Sequence, residues 1–176
     1  VSVLVTNNTN AAYIENSDVY SLGYIKVLSS HNIKMEVYGG TLSGSTFLGA
    51  GGTVLVSSFT NSSIAEIRGS DLNAAGAIEL IARSRDDISI KVGTAGIGIT
   101  GGGVAGGVSV ILVETTTEAS VIGGNVRGQS ILIRADNITE VDTLAGALGA
   151  GLVAGLGAAV DYTSIQNRTV AMIGLG

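Results

Sequence analysis

The 176-residue sequence contains no cysteine, no proline and no tryptophan, and only 13% of its residues are charged. The lack of cysteine excludes a disulfide framework, a thiolate metal site and a cysteine nucleophile. The 27 glycines come without proline and without a Gly-X-Y period, so they do not indicate collagen, and an apolar content of 45% argues against disorder. The sequence therefore predicts a folded chain without cysteine chemistry.

Positive charge is also scarce, with nine lysines and arginines against 14 acidic residues and a formal net charge of −5. Binding to nucleic acid or to anionic lipid needs clustered cations, which the sequence does not offer. The first residues include no methionine, no basic segment and no cleavage site, so no targeting signal is visible. We expect no nucleic-acid partner, and we interpret residues 1–176 as a fragment of a longer array.

Valine, isoleucine and threonine, by contrast, fill 52 positions, a composition of strands rather than helices. Apolar and polar residues alternate, as at Ile88, Ile90 and Val92, which is the two-residue period of a half-buried strand. Glycine, asparagine or serine separates these segments, and no helical period lies between them. We predict an all-β fold.

An internal repeat of 51–55 residues runs through the chain. Its units are anchored near Ile14, Ile67, Ile122 and Ile173. Residues 14–29 align without gaps on residues 67–82, and residues 130–135 match residues 77–82 in the next unit. A fixed period of this length is typical of solenoids. We therefore predict a single β-helical domain of stacked parallel strands.

About six strand-like segments occur in each unit, which suggests two three-sided coils per unit and roughly seven coils in all. Stacked about 4.8 Å apart, these coils would form a rod about 30 Å long. Glycine recurs at residues 50–52, 105–107 and 156–158, about 16 residues before successive anchors. Because glycine has no Cβ, we expect a sharp corner or a close approach of backbones there.

A recurring polar position lies six residues before each anchor and is occupied by Asn8, Asn61, Thr116 and Asn167. Amide side chains form ladders along stacked parallel strands, so we interpret these residues as structural. A threonine-rich ice-binding or glycan-binding face would need the pattern on every coil, whereas residues 115–117 form an isolated triplet. Asn7, Asn61, Asn137 and Asn167 also match the N-glycosylation pattern, which Asn/Thr-rich turns generate by themselves.

We assign no catalytic, cofactor-binding or metal-binding residue, and we predict that the chain is not an enzyme. Residues 96–101 match the dinucleotide fingerprint GxGxxG, but the glycine-rich segment after them is a poor helix former. The densest charged cluster, residues 83–87, indicates a solvated turn, and His31 falls in the equivalent turn without a nearby partner for a triad. Neither the calcium-binding EF-hand loop nor the calcium-binding Gly-Gly-x-Gly-x-Asp nonapeptide occurs in the sequence.

Residues 144–160 carry no charge and are flanked by Asp142 and Asp161. A membrane helix usually needs about 20 residues and basic flanks, so we interpret this stretch as strands buried in a solenoid core. We therefore expect no direct membrane insertion of this segment.

Four of the five tyrosines, Tyr13, Tyr20, Tyr24 and Tyr38, fall in the first unit. Tyrosine clusters stack against sugars, and solenoid enzymes place paired carboxylates in one groove. A carbohydrate-binding or carbohydrate-active solenoid is therefore the alternative to a structural protein.

The repeat combines an Asn/Thr-rich segment, the motif T-E-A-S-V-I at residues 117–122 and glycine-rich stretches such as residues 149–154. In this combination the chain resembles the passenger regions of large bacterial filamentous adhesins, with the nearest likeness to the leukotoxin-like and autotransporter adhesins of fusobacteria. The resemblance implies a right-handed β-helix, type V secretion, a secreted or cell-surface location, and a role in adhesion or virulence. It implies no active site.

From the repeat and this resemblance we expect a structural or adhesive stalk segment. Its expected partners are a host surface protein or glycan, together with end-to-end association of the fragment.

Overall fold

The computed structural model describes residues 1–174, which form ten strands and no helix. The strands are β1 (Ser2–Glu15), β2 (Asp18–Ser21), β3 (Ile25–Ser45), β4 (Leu48–Arg68), β5 (Asp71–Ala74), β6 (Ala77–Gly98), β7 (Gly102–Ile122), β8 (Val126–Arg127), β9 (Ser130–Gly151) and β10 (Ala154–Gly174). Within the described range, no helix is long and apolar enough to cross a membrane.

The strands form three parallel sheets that wind around one interior. A first long sheet contains β1, β4, β7 and β10, and a second long sheet contains β3, β6 and β9. A short sheet of β2, β5 and β8 joins them along one edge. Each strand pairs in parallel with the equivalent strand one turn of the chain later, so the predicted parallel β-solenoid is confirmed.

The register confirms the repeat between the first two units residue by residue. Ile14 pairs with Ile67, Asp18 with Asp71 and Ile25 with Ile78, all at an offset of 53 residues. In the third unit the equivalent of Ile67 is Val121, one residue before the anchor that the sequence suggested. The offset is therefore 54 residues from β4 to β7 and 52 from β7 to β10.

The prediction of roughly seven coils is wrong, because one full coil takes the whole 53-residue repeat. Each long strand spans 21 or 22 residues in the complete coils, or about 70 Å. The described chain therefore winds through a little more than three coils and rises only about 15 Å along the axis. The molecule is a broad, flat plank rather than a slender rod.

Long strands look like several short ones in the sequence because their inward positions are not uniformly apolar. The two long sheets face each other, and their facing side chains form successive layers. Beside the short sheet lies an apolar layer around Ile67, Leu72, Ile78 and Leu80. Next comes a polar layer, which consists of Ser29, His31, Asn61, Ser63, Ser84, Asp86, Thr115 and Thr117. A second apolar layer follows around Phe59, Ile88, Ile90 and Ile111. Serine and asparagine in the polar layer were therefore mistaken for turns.

The layer farthest from the short sheet consists mainly of inward glycines. A Cβ atom built on Gly51 would lie 2.6 Å from the backbone oxygen of Ala95 on the opposite sheet. Gly49, Gly96 and Gly103 would meet the opposing backbone even more closely. The glycines thus allow a close approach of backbones, which is one of the two alternatives that the sequence predicts. They lie within strands rather than at corners.

The corners themselves are stacked turns. Where the first long sheet meets the short sheet, Asn16, Gly69 and Gly123 all have positive φ, between 47° and 69°. This left-handed conformation favours glycine and tolerates asparagine, which accounts for the residue types at these three positions. At the far edge, residues 46–47, 99–101 and 152–153 connect the second long sheet to the first, and we call these turns the tip.

Candidate functional site

The most polar part of the interior is centred on Asp86, whose side chain is fully buried in the middle of β6. Asn61 Nδ2 donates to its Oδ1 at 3.1 Å, and Thr115 Oγ1 donates to its Oδ2 at 2.8 Å. His31 Nε2 lies 3.2 Å from the same Oδ1. A buried carboxylate requires such donors, because without them the loss of hydration would be uncompensated.

These contacts join both long sheets and three successive coils. Asn8 Nδ2, one coil below, donates to Asn61 Oδ1 at 3.2 Å, so the amide ladder expected from the sequence exists at this step. At the next step the register places Thr115 above Asn61, rather than the Thr116 suggested by sequence spacing. Thr115 does not continue the ladder, because its hydroxyl donates to Asp86 instead. This hydrogen bond links the third coil to the second.

The ring of His31 is oriented by Asn10, whose amide nitrogen lies 3.3 Å from Nδ1 and also donates to the Ser30 carbonyl. Nε2 on the other side of the ring faces Asp86, but among residues 1–174 it makes no contact with the geometry of a hydrogen bond. Ser84 stacks beside His31 in the second long sheet, but its hydroxyl makes no hydrogen bond to the ring among the residues that the structure describes. The three residue types of a triad are close together without the geometry of one.

The interpretation of residues 83–87 as a solvated turn is wrong, and so is the statement that His31 lacks a nearby partner. Both lie in the middle of long strands, where Arg83 and Arg85 point outward while Asp86 points into the interior. Burial alternates with a two-residue period from Ile78 to Val92, and the alternation continues through position 86. Extending the period through residues 83–87 would therefore have placed Asp86 on the inward face. Asp86 was missed because charged residues usually end a strand pattern.

The burial of Asn61 also limits the glycosylation matches. Its side chain is only 2% exposed and is engaged at both ends, by Asn8 and by Asp86. An oligosaccharide cannot be attached to it in the folded protein. Asn7, in contrast, lies on the outer face of β1 and is exposed.

A groove with a volume of about 610 Å³ lies along the second long sheet at the level of the polar layer. Its lining includes the side chains of Arg83, Arg85 and Arg134, together with Ser30 and Asn32. His31, Ser84 and Asn137 also contribute, so the groove reaches the edge of the buried network.

Charge in the groove is unevenly balanced. Asp136 accepts Arg134 at 2.8 Å and lies 3.6 Å from Arg83. Arg85 makes no ion pair with any residue in the range 1–174. Three arginines against a single aspartate give the groove a local positive character on a chain of net charge −5. A free guanidinium beside hydroxyl and amide groups suits a carboxylate or sulfate group.

On the outer face of the first long sheet, Arg68 forms a small ion-pair group. Its Nη2 donates to Glu66 at 2.7 Å, and Glu15 lies 4.0 Å away. The hydrogen bond and the negative charge of Glu66 raise the pKa of Arg68, with a smaller contribution from Glu15. The ion pairs keep Arg68 cationic. Because Arg68 is exposed to solvent, their contribution to stability is small.

The tyrosines of the first unit do not form one sugar-stacking platform. Tyr13 lies on the first long sheet, Tyr20 on the short sheet and Tyr38 on the second long sheet. The Nζ of Lys91 lies 5.7 Å from the centroid of the Tyr38 ring, which remains exposed. The clustering seen in the sequence is therefore dispersed over three faces of the plank.

The remaining sequence motifs are explained by strands. Residues 96–101 form the end of β6 and its tip turn, so the helix required by the dinucleotide fingerprint is replaced by β7. Residues 144–160 form strand as predicted, in β9, β10 and the turn between them, but the expected burial in a core is wrong, because their leucines point outward and are exposed. Within residues 1–174, no group of three or more acidic, histidine or cysteine side chains is placed to hold a metal ion.

Comparison with protein-family models finds no match to this chain. Comparisons with curated proteins and with solved structures find no significant match either.

Proposed function

We propose that the chain is a structural and adhesive stalk segment of a secreted or surface-exposed, type V adhesin or virulence factor, and that it is not catalytic. The observation that supports this proposal is the use of its titratable groups. Asp86 and His31, the pair most suited to chemistry, serve as a buried brace between successive coils. The two long sheets meanwhile offer broad outer faces on a repeat that extends by adding coils.

The location can be tested on intact cells of the producing bacterium. We expect antibodies raised against residues 1–176 to label unpermeabilised cells, and external protease to remove the signal. A cytoplasmic protein should serve as the control that is labelled only after permeabilisation. Labelling of the chain only after permeabilisation would contradict a surface or secreted location.

A second candidate function, binding of an acidic glycan, is favoured by the arginine groove. Arg85 makes no ion pair within residues 1–174, and Ser30 and Asn32 beside it offer hydrogen-bonding groups for sugar hydroxyls. On a glycan array we expect carboxylated or sulfated chains to bind in preference to neutral ones. The Arg85→Ala variant should bind about tenfold more weakly, because a charge-assisted hydrogen bond contributes about 1.5–3 kcal/mol.

Arg127→Ala is the matched control, because Arg127 is an exposed arginine on the short sheet, away from the groove. An equal loss in both variants would indicate general charge attraction rather than a site. A chain that binds no acidic glycan would be a passive stalk, whereas cleavage of a bound glycan would support the carbohydrate-active alternative.

A further inference from the structure

The tip carries large apolar side chains that contact little else in the molecule. Phe47 is 74% exposed, Ile99 67%, Leu152 82% and Val153 79%. These residues occupy the same turn in three successive coils, so they form one continuous apolar edge. An exposed apolar patch of this kind on a soluble surface marks a site of interaction.

Apolar side chains continue from the tip along both outer faces of the plank. On the first long sheet, Val104, Leu156 and Val160 are exposed. On the second long sheet, Leu42 and Leu148 are exposed in the same way. We call residues 40–54, 93–108 and 146–160 the wing. Its interior contains the glycine layer together with inward threonines such as Thr53 and Thr94, and its outward side chains are mainly apolar.

The wing contains no charged residue, and all 23 charged side chains of the chain lie elsewhere. Strands of the middle coil are paired on both sides in the wing, whereas within residues 1–174 the strand segments of 40–54 and 146–160 are edges paired on one side only. The stacked turns of the tip are also hydrogen-bonded to one another. Ile99 N–H donates to the Ser45 carbonyl at 3.0 Å, and Val153 N–H donates to the Gly101 carbonyl at 3.0 Å. Because unpaired backbone groups are not tolerated deep in hydrocarbon, the open edges limit any membrane contact of the wing to the interface, where water still reaches them.

The distribution of apolar groups indicates which occupant fits. A second copy or another folded protein docked on the wing would cover one outer face and leave the other in water. Both faces and the edge between them are apolar here, so the occupant must surround the wing on three sides. The fluid interface of a lipid bilayer does so, and the absence of charge means that its headgroups need not be anionic.

We propose that the tip inserts as a rigid apolar wedge into the interface of a lipid bilayer, about 5–10 Å into the boundary between headgroups and acyl chains. This revises the expectation of no direct membrane insertion, which rested on residues 144–160 being an unsuitable helix. Insertion by a stacked edge of strands and turns needs neither the length nor the flanks of a helix. The inference goes beyond the stalk proposal and does not depend on it.

The experiment uses the absence of native tryptophan. Leu152→Trp places the only tryptophan at the tip, and Leu22→Trp places it in the fully exposed turn at the opposite edge of the plank. On addition of phosphatidylcholine vesicles, we expect the emission of the tip tryptophan to shift to shorter wavelength and to be quenched by brominated acyl chains. The tryptophan at position 22 should show neither change.

Co-sedimentation with the same vesicles provides an independent measurement. The triple variant Phe47→Asp, Ile99→Asp, Leu152→Asp should bind at least tenfold more weakly than the native chain, while Leu22→Asp binds equally well. Far-UV circular dichroism measures whether both variants are folded. If the triple variant does not fold, the tryptophan variants still test the proposal.

Three outcomes would overturn the proposal. The first is an unshifted and unquenched tip tryptophan. The second is binding that requires phosphatidylglycerol or disappears at high salt, since that would be electrostatic. The third is that the native chain self-associates without lipid and does not bind vesicles, and that the triple variant no longer self-associates. The wing would then be a contact between copies of this chain.

Discussion

Replacing Gly103 by alanine is expected to destabilise the fold by at least about 3 kcal/mol, and replacement by valine is expected to prevent folding. The added Cβ would overlap the backbone oxygens of Ala150 and Gly96 on the opposing sheet. Neither oxygen can move as the end of a side chain moves, because each belongs to a strand within a sheet. The sheets must separate, and the separation would extend along the glycine layer.

Gly106→Ala is the matched control within the same strand. Gly106 points outward, and a Cβ placed on it meets nothing within 4 Å. We expect its stability to change by less than about 1 kcal/mol, with a slight gain because alanine restricts the unfolded chain. Urea denaturation of both variants measures the difference. Similar stabilities for Gly103→Ala and Gly106→Ala would show that the two sheets are not in backbone contact.

Replacing Asp86 by alanine is expected to cost about 3–5 kcal/mol, because the change removes one member of a buried polar group and leaves the others without it. Asn61 and Thr115 would lose their acceptor inside the interior, and His31 would lose the carboxylate beside it. In a domain of this size, that loss corresponds to a melting temperature lower by roughly 10 °C. Differential scanning calorimetry measures it directly.

The neighbouring residue supplies the control for this prediction. Asp87 points to the outer face of β6, and within residues 1–174 its carboxylate forms no hydrogen bond or ion pair. Asp87→Ala should therefore change the free energy of unfolding by no more than about 0.5 kcal/mol. If the two aspartate variants melt at the same temperature, Asp86 does not brace the coils.

The class of fold and the pairing of units could be predicted because both depend on local pattern. Period-two alternation requires strands, and the identities shared between residues 14–29 and residues 67–82 fix the register of the first two coils. Parallel stacking places equivalent residues side by side, so a repeat read from sequence translates directly into cross-strand neighbours. The match of residues 130–135 to 77–82 holds for the same reason.

The number of coils could not be predicted in the same way, since it depends on where the chain turns. Serine, asparagine and glycine end strands in most proteins, yet here Ser63, Asn61 and Gly51 lie inside one continuous strand. Each is compensated by a partner on the facing sheet, by Ser29 at 2.9 Å, by Asp86 at 3.1 Å, and by the backbone of Ala95. Sequence shows only one side of such a contact.

The polar layer was missed for a related reason. A histidine at position 31 and an aspartate at position 86 are 55 positions apart, and nothing local to either indicates the other. Only the stacking of β3 on β6 brings their side chains to 3.2 Å. Residues 152–153 of the tip are the converse case, because the uncharged stretch 144–160 predicts core whereas the structure places these side chains outside.

The spacing of 52–54 residues between paired strands also determines how the chain acquires its structure. Bringing the first two such strands together closes a loop whose entropy costs about 3.5 kcal/mol, before any further contact offsets it. Chains dominated by distant contacts fold slowly, and here every sheet is built from them. Once one coil has formed, its edge is a template for the next, so we expect the first closure to be the slowest step.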